Sequence, residues 1–199
     1  SGVLGRLLLP VLRALKAGQS IRELGPTWHN NKAGTPMMGG LMFIFASIIC
    51  LLICIPTMQE YTVFYALIPA LCFGLIGFLD DFTKIKFKRN LGLTSWQKAS
   101  LQLIVSVLYL YLLYKEGSLS CNLYIPFVNV SLTVHPMVYI FFAMFVMVGC
   151  VNAVNLTDGV DGLSSSVTIP VMIFFTAAAV AMGRFDLALL PASLIGGLI

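Results

Sequence analysis

Asp80 and Asp81 stand side by side where a charge-free run, Tyr61 to Leu79, comes to an end, and Lys84 follows one helical turn later. Two adjacent carboxylates can share a divalent cation, or one can act as a base while its neighbour's charge makes it easier to protonate. The plainer reading is a helix end with solvated charges and an i,i+4 ion pair. Placement at the edge of an apolar layer weighs against it, because ionisable groups are costly there and tend to be functional. The basic residues Lys84, Lys86, Lys88, Arg89 and Lys98 come next. A carboxylate pair beside such a stretch suits a metal or a phosphate.

A second constellation runs from Asn152 through Asn155, Asp158, Gly159 and Asp161 to Gly162 and Leu163. On a helical turn Asp158 and Asp161 share a face, and Asn155 could join Asp158. Gly159 and Gly162 would let a ligand or another backbone come close. One aspartate is enough to cap the next helix, so two, with flanking Asn and Gly, point to a ligand. An EF-hand is excluded, since that loop is longer and ends on a bidentate Glu. The third constellation lies between His29 and Gly40. There Thr35 is a natural N-cap and Pro36 suits a first helical turn. A helix start with Lys32 nearby can hold phosphate, or it can be a well-capped helix and nothing more. The order of a Walker A loop is absent.

The elements that must position these residues follow from composition. The chain is 59% hydrophobic and 10% charged, with a mean hydropathy of +0.95, where a soluble domain carries about a quarter charged residues. Too little polar surface remains to coat a globule. Apolar runs near the roughly 20 residues needed to cross a bilayer must be helices, because lipid leaves the backbone to satisfy itself. The expected fold is therefore an all-α polytopic transmembrane bundle forming a single domain. Spans are expected at about 37–56, 61–79, 99–114, 136–154 and 166–182, with partial ones at 2–15 and 187–199. The Ser/Thr/Asn-rich stretch 116–135 alternates like a short β-hairpin. The five cysteines make no C-x-x-C pair and read as packing residues.

Charge sets the orientation. Of twelve basic residues, all but Lys115 and Arg184 fall before Met37 or in the stretch after Leu79, and counting spans puts both regions on one side. Basic loops stay cytoplasmic, so 16–36, 80–98 and 155–165 are expected there, with 116–135 outside. Asp80, Asp81, Asp158, Asp161 and the lysines thus converge on one face. Carboxylates for a metal, lysines for phosphates and Asn/Asp groups for hydroxyls suit phosphoryl transfer from a soluble anionic donor to a lipid acceptor.

Gly34-Thr35-Pro36-Met37-Met38-Gly39-Gly40, Gly77 to Lys84, Asn90-Leu91-Gly92-Leu93-Thr94-Ser95-Trp96-Gln97-Lys98 and Asn152 to Leu163 together resemble the polyprenyl-phosphate N-acetylhexosamine-1-phosphate transferase superfamily. Within it they are most similar to the phospho-N-acetylmuramoyl-pentapeptide transferases of bacterial peptidoglycan synthesis. The resemblance covers about Gly18 to Leu163. It implies a multi-pass protein of the bacterial inner membrane that moves phospho-N-acetylmuramoyl-pentapeptide from its UDP-linked donor to undecaprenyl phosphate. The products would be lipid I and UMP, and the reaction would require Mg2+. It implies Asp80 as the base that keeps the lipid phosphate reactive, with Asp81 beside it. Lys84, Asn155, Asp158 and Asp161 would line the uridine pocket, Lys32 and Thr35 would meet the ribose or diphosphate, and Lys98 would sit near the diphosphate. A second copy of the chain is a candidate partner; a nucleic acid is not. The family carries a later magnesium-binding Asp and a His-rich loop that this sequence does not contain, so a fragment is expected.

Three other readings compete. One is a related transferase moving N-acetylglucosamine-1-phosphate. Another is an ion or lipid transporter, which would place its charges near mid-span. The CDP-alcohol class, finally, spaces its aspartates more widely within one motif.

Overall fold

The structure, a computed structural model, describes residues 1–14, 38–58, 60–87, 92–125, 127–159 and 162–199. Lys32, Thr35 and Asp161, with His29, Lys88 and Arg89, lie outside them. Among the described residues the elements run α1 (Gly2–Ala14), α2 (Gly40–Cys54, prolonged by a 3-10 turn Ile55–Thr57), α3 (Val63–Phe87), α4 (Ser95–Lys115), β1 (Asn122–Ile125), β2 (Val130–Thr133), α5 (Pro136–Thr157), α6 (Leu163–Ala181) and α7 (Phe185–Leu198). The expected all-α polytopic architecture is what the chain adopts.

Four of these segments, Gly40–Thr57, Val63–Phe87, Pro136–Thr157 and Leu163–Ala181, are long and apolar enough to cross a bilayer. Their outward faces carry large apolar side chains, Phe141 at 72% and Phe145 at 75% exposure, which water would not tolerate over so wide an area but lipid would. The protein is a multi-pass membrane protein. The expected hairpin is present: β1 and β2 pair antiparallel, Leu123 opposite Leu132 and Ile125 opposite Val130. All five cysteines are free.

Packing sets the order of the helices. α4 lies between α3 and α5, while α7 packs on α6, α2 and α3. Tyr109 on α4 donates to the Tyr65 carbonyl on α3 at 2.7 Å. At one end of the bundle Arg184, before α7, pairs with Glu60 at 3.1 Å and donates to Thr62 at 2.9 Å. That ties the α6–α7 turn to the start of α3. The carboxylate pair on α3 lies at the other end.

Two expectations need correction. The stretch 80–98 is not one loop: residues 80–87 continue α3 and α4 begins at Ser95. Lys84 reaches back to both aspartates, and such i,i+3 and i,i+4 pairs prolong a helix past the apolar layer. A 25-residue helix is about 37 Å long against a hydrocarbon core of about 30 Å. Likewise, in the expected loop 155–165, residues 155–157 form the last turn of α5 and α6 opens at Leu163.

The span expected at 99–114 lies within α4. α4 has 21 residues yet is absent from the set apolar enough to cross by composition. Its polar residues Gln102 and Ser106 are buried, while Ile104, Leu108 and Leu112 are exposed. Gln102 and Ser106, two of the residues that lower its hydropathy, thus face protein rather than surroundings. Thr35 and Pro36, expected as N-cap and first helical turn, lie outside the described residues. Within those residues α2 begins at Gly40 with Gly39 as its N-cap, and Met38 before it holds a left-handed φ of 66°.

Candidate active site

Three helix ends meet around Asp80. α3 supplies Asp80, Asp81 and Lys84 from its last two turns. α4 supplies Lys98 from its first turn, and α5 supplies Asn155 from its last. α4 begins abruptly because Thr94 and Gln97 form a capping box. The Thr94 hydroxyl accepts from the Gln97 amide at 3.3 Å, and the Gln97 side chain accepts from the Thr94 amide at 3.0 Å. Two otherwise orphaned donors are thereby satisfied, and Lys98 is held one residue further on.

Asp80 is buried, at 8% exposure. Its two oxygens have different partners. Oδ1 accepts from the Leu93 amide at 2.9 Å. Oδ2 faces Lys84 Nζ at 2.8 Å, with Lys98 Nζ at 4.0 Å. Lys84 also donates to Asp81 Oδ1 at 2.9 Å, so one ammonium bridges the pair and relieves the repulsion between neighbouring carboxylates. Lys98 donates to the Asn155 side-chain oxygen at 3.3 Å. A continuous polar line runs Asp81, Lys84, Asp80, Lys98, Asn155 across three helices.

Four of the expected site residues besides Asp80 are thus gathered here: Asp81, Lys84, Lys98 and Asn155. Asp158 is not. It is the exposed residue just past the last turn of α5, and Gly162, at a φ of 77°, takes the N-cap of α6 in its place. Three participants escaped the sequence reading. The Leu93 amide is a backbone donor that no residue type announces. Gly92 lies against the Asp80 carboxylate. Gln102, one turn after Lys98, pairs with Asn152; a glutamine within an otherwise apolar run was the available signal.

Among the described residues no group of three His, Cys, Asp or Glu side chains could hold a metal. Both Asp80 oxygens are engaged, and Lys84 occupies the space between the carboxylates. What fits a cation is narrower: Asp81 pairs through one oxygen only and is about one-third exposed. Magnesium commonly needs only one or two protein carboxylates when phosphates and waters supply the rest.

Residues 62–199 match the family model described as glycosyl transferase family 4. Along its whole length the chain is similar to the phospho-N-acetylmuramoyl-pentapeptide-transferase of Clostridium perfringens (strain 13 / Type A), 44% identical over 201 residues, which are 62% of that protein. The protein of the same name from Clostridium acetobutylicum is 44% identical over 96% of the chain and 60% of its own length. That from Clostridioides difficile (strain 630) is 43% identical over 98% and 60%. The chain spans about three-fifths of the length of these curated relatives.

Proposed function

The chain belongs to glycosyl transferase family 4, and from that premise we propose that it forms the phosphate-handling part of a phosphoglycosyl transferase in the bacterial inner membrane. The donor is UDP-N-acetylmuramoyl-pentapeptide and the acceptor undecaprenyl phosphate, with the Asp80 end of the bundle facing the cytoplasm. The names of relatives at 41–44% identity support the donor. The acceptor suits a chain whose outward surface is apolar. The observation that carries the reading is the seat of Asp80: a buried carboxylate with Lys84 against one oxygen and Lys98 beyond it, linked onward to Asn155.

An oxygen of the lipid phosphate attacks the sugar-proximal phosphorus of the donor. The bond from that phosphorus to the bridging oxygen breaks, and UMP leaves with the electron pair, giving lipid I. Asp80 keeps the attacking phosphate deprotonated, while Lys84 and Lys98 offset charge on the phosphates, the usual work of a protein in phosphoryl transfer. Asn155 orients Lys98 and lies toward the uridine side, where Asp158, Asp161, Lys32 and Thr35 complete the donor contacts. Magnesium is part of this reading: Asp81 would hold the ion when bound, and the ion would neutralise diphosphate charge.

The test is UMP release by the full-length protein in detergent or lipid, with undecaprenyl phosphate and either the muramoyl-pentapeptide donor or UDP-N-acetylglucosamine. Turnover with the first donor alone is expected. Equal turnover with both would reassign the substrate, and unchanged rates in Asp80→Asn and Asp158→Asn would remove the site.

A further inference from the structure

Gly92 is buried, immediately before the Leu93 amide that donates to Asp80. A Cβ built on it would collide with Asp80 Oδ1, with Asp80 Cγ at 2.8 Å and with the Asp80 carbonyl. Its φ is not left-handed, so glycine is required here for close approach, not for backbone conformation. Three residues later the capping box fixes the start of α4, and Lys98 follows in that helix's first turn. The strand of chain from Gly92 to Thr94 is therefore the tether that sets how far Lys98 stands from Asp80. The 4.0 Å between Lys98 Nζ and Asp80 Oδ2 is too long for a hydrogen bond, so the two are not locked to each other, and Lys98 keeps donor capacity beyond its bond to Asn155 for a phosphate.

We propose that Gly92 is a positioning residue for phosphate transfer, its bare Cα letting the Leu93 amide fix the Asp80 carboxylate and holding Lys98 at the distance the reacting phosphate needs. This rests on the transferase reading above for its kinetic test, though not for its structural one. A Cβ at position 92 pushes the tether off Asp80, frees Oδ1 and widens the gap to Lys98. Donor contacts on the Asn155 side are left in place.

Gly92→Ala in the full-length protein is expected to lower kcat about tenfold or more, as misplacement by a fraction of an ångström does, with the donor KM within about twofold. Gly77→Ala is the control, on the helix that carries Asp80, since a Cβ there meets nothing, and it should leave kcat unchanged. A wild-type protein inactive with the muramoyl-pentapeptide donor would sink the transferase reading. Wild-type turnover with Gly92→Ala equally active would sink the role of Gly92. Should that variant misfold, Asp80→Ala keeps Gly92 and tests the tether directly. Hydrogen exchange at the Leu93 amide should quicken about tenfold as its acceptor is lost, and unchanged protection would overturn the proposal.

Discussion

Gln102 on α4 and Asn152 on α5 hold each other by a reciprocal amide pair: Asn152 donates to the Gln102 side-chain oxygen at 2.8 Å, and Gln102 donates back at 3.5 Å. Asn152 also donates to the Val148 carbonyl at 2.8 Å. The pair lies one turn deeper in the bundle than Lys98 and Asn155, and Gln102 is almost wholly buried. It clasps the two helices whose ends present the lysine and the asparagine of the site.

Gln102→Leu leaves the Asn152 amide with an unmet bond in a buried setting, and is expected to destabilise the protein by about 1–3 kcal/mol. Thermal unfolding in detergent reads this out as a lowered midpoint. The double variant Gln102→Leu with Asn152→Leu should recover part of the loss, because two apolar side chains leave nothing unpaired. A double variant that falls by the sum of the single losses would show that the two amides do not act as a pair.

Lys98→Met removes the positive charge facing Asp80 and the donor to Asn155 together. Turnover is expected to fall by about 100-fold, the scale of losing one preorganised electrostatic contact in an active site. Lys98→Arg should recover little, since the planar guanidinium does not replace a compact ammonium at this spacing. Steady-state rates decide it, and full activity in Lys98→Arg would mean that only charge matters here.

Lys84→Ala strands two neighbouring carboxylates without the ammonium between them. A loss of about 1–3 kcal/mol is expected, together with a fall in turnover. Lys84→Arg should restore stability further than it restores rate. A Lys84→Ala protein as stable as wild type would show that the ammonium does not offset the repulsion between the aspartates.

Thr94→Ala breaks the capping box at the start of α4 and should cost about 1 kcal/mol, with Thr94→Ser restoring most of it. Because Lys98 sits in the turn that the cap fixes, hydrogen exchange of the first α4 amides should quicken as well. Unaltered exchange there would show that packing, not the cap, holds the helix start.

Much of the bundle was legible because charge-free runs near 20 residues have few options in lipid. The end of α3 was not. The spacing of Lys84 suggested its pair with Asp80, but not that the same ammonium also bridges Asp81 and carries α3 past the apolar layer. α4 reads as a span of ordinary composition because sequence does not say which face carries Gln102 and Ser106. Asp80, Asp81, Lys84, Lys98 and Asn155 came together as residue type and topology suggested. Gly92 did not stand out, since its contact with Asp80 depends on how the chain folds back between α3 and α4. Asp158 makes no hydrogen bond or ion pair with the Asp80 cluster among the described residues, and Lys32, Thr35 and Asp161 lie outside those residues.

The most direct test is single-turnover formation of lipid I by the full-length protein, comparing wild type with Asp80→Asn under saturating donor and undecaprenyl phosphate. With Asp80 as the group that keeps the acceptor phosphate reactive, the Asp80→Asn rate should drop by about 100-fold or more while donor binding, measured separately, stays within about threefold. A wild-type rate in Asp80→Asn, or a loss explained wholly by weaker donor binding, would contradict it.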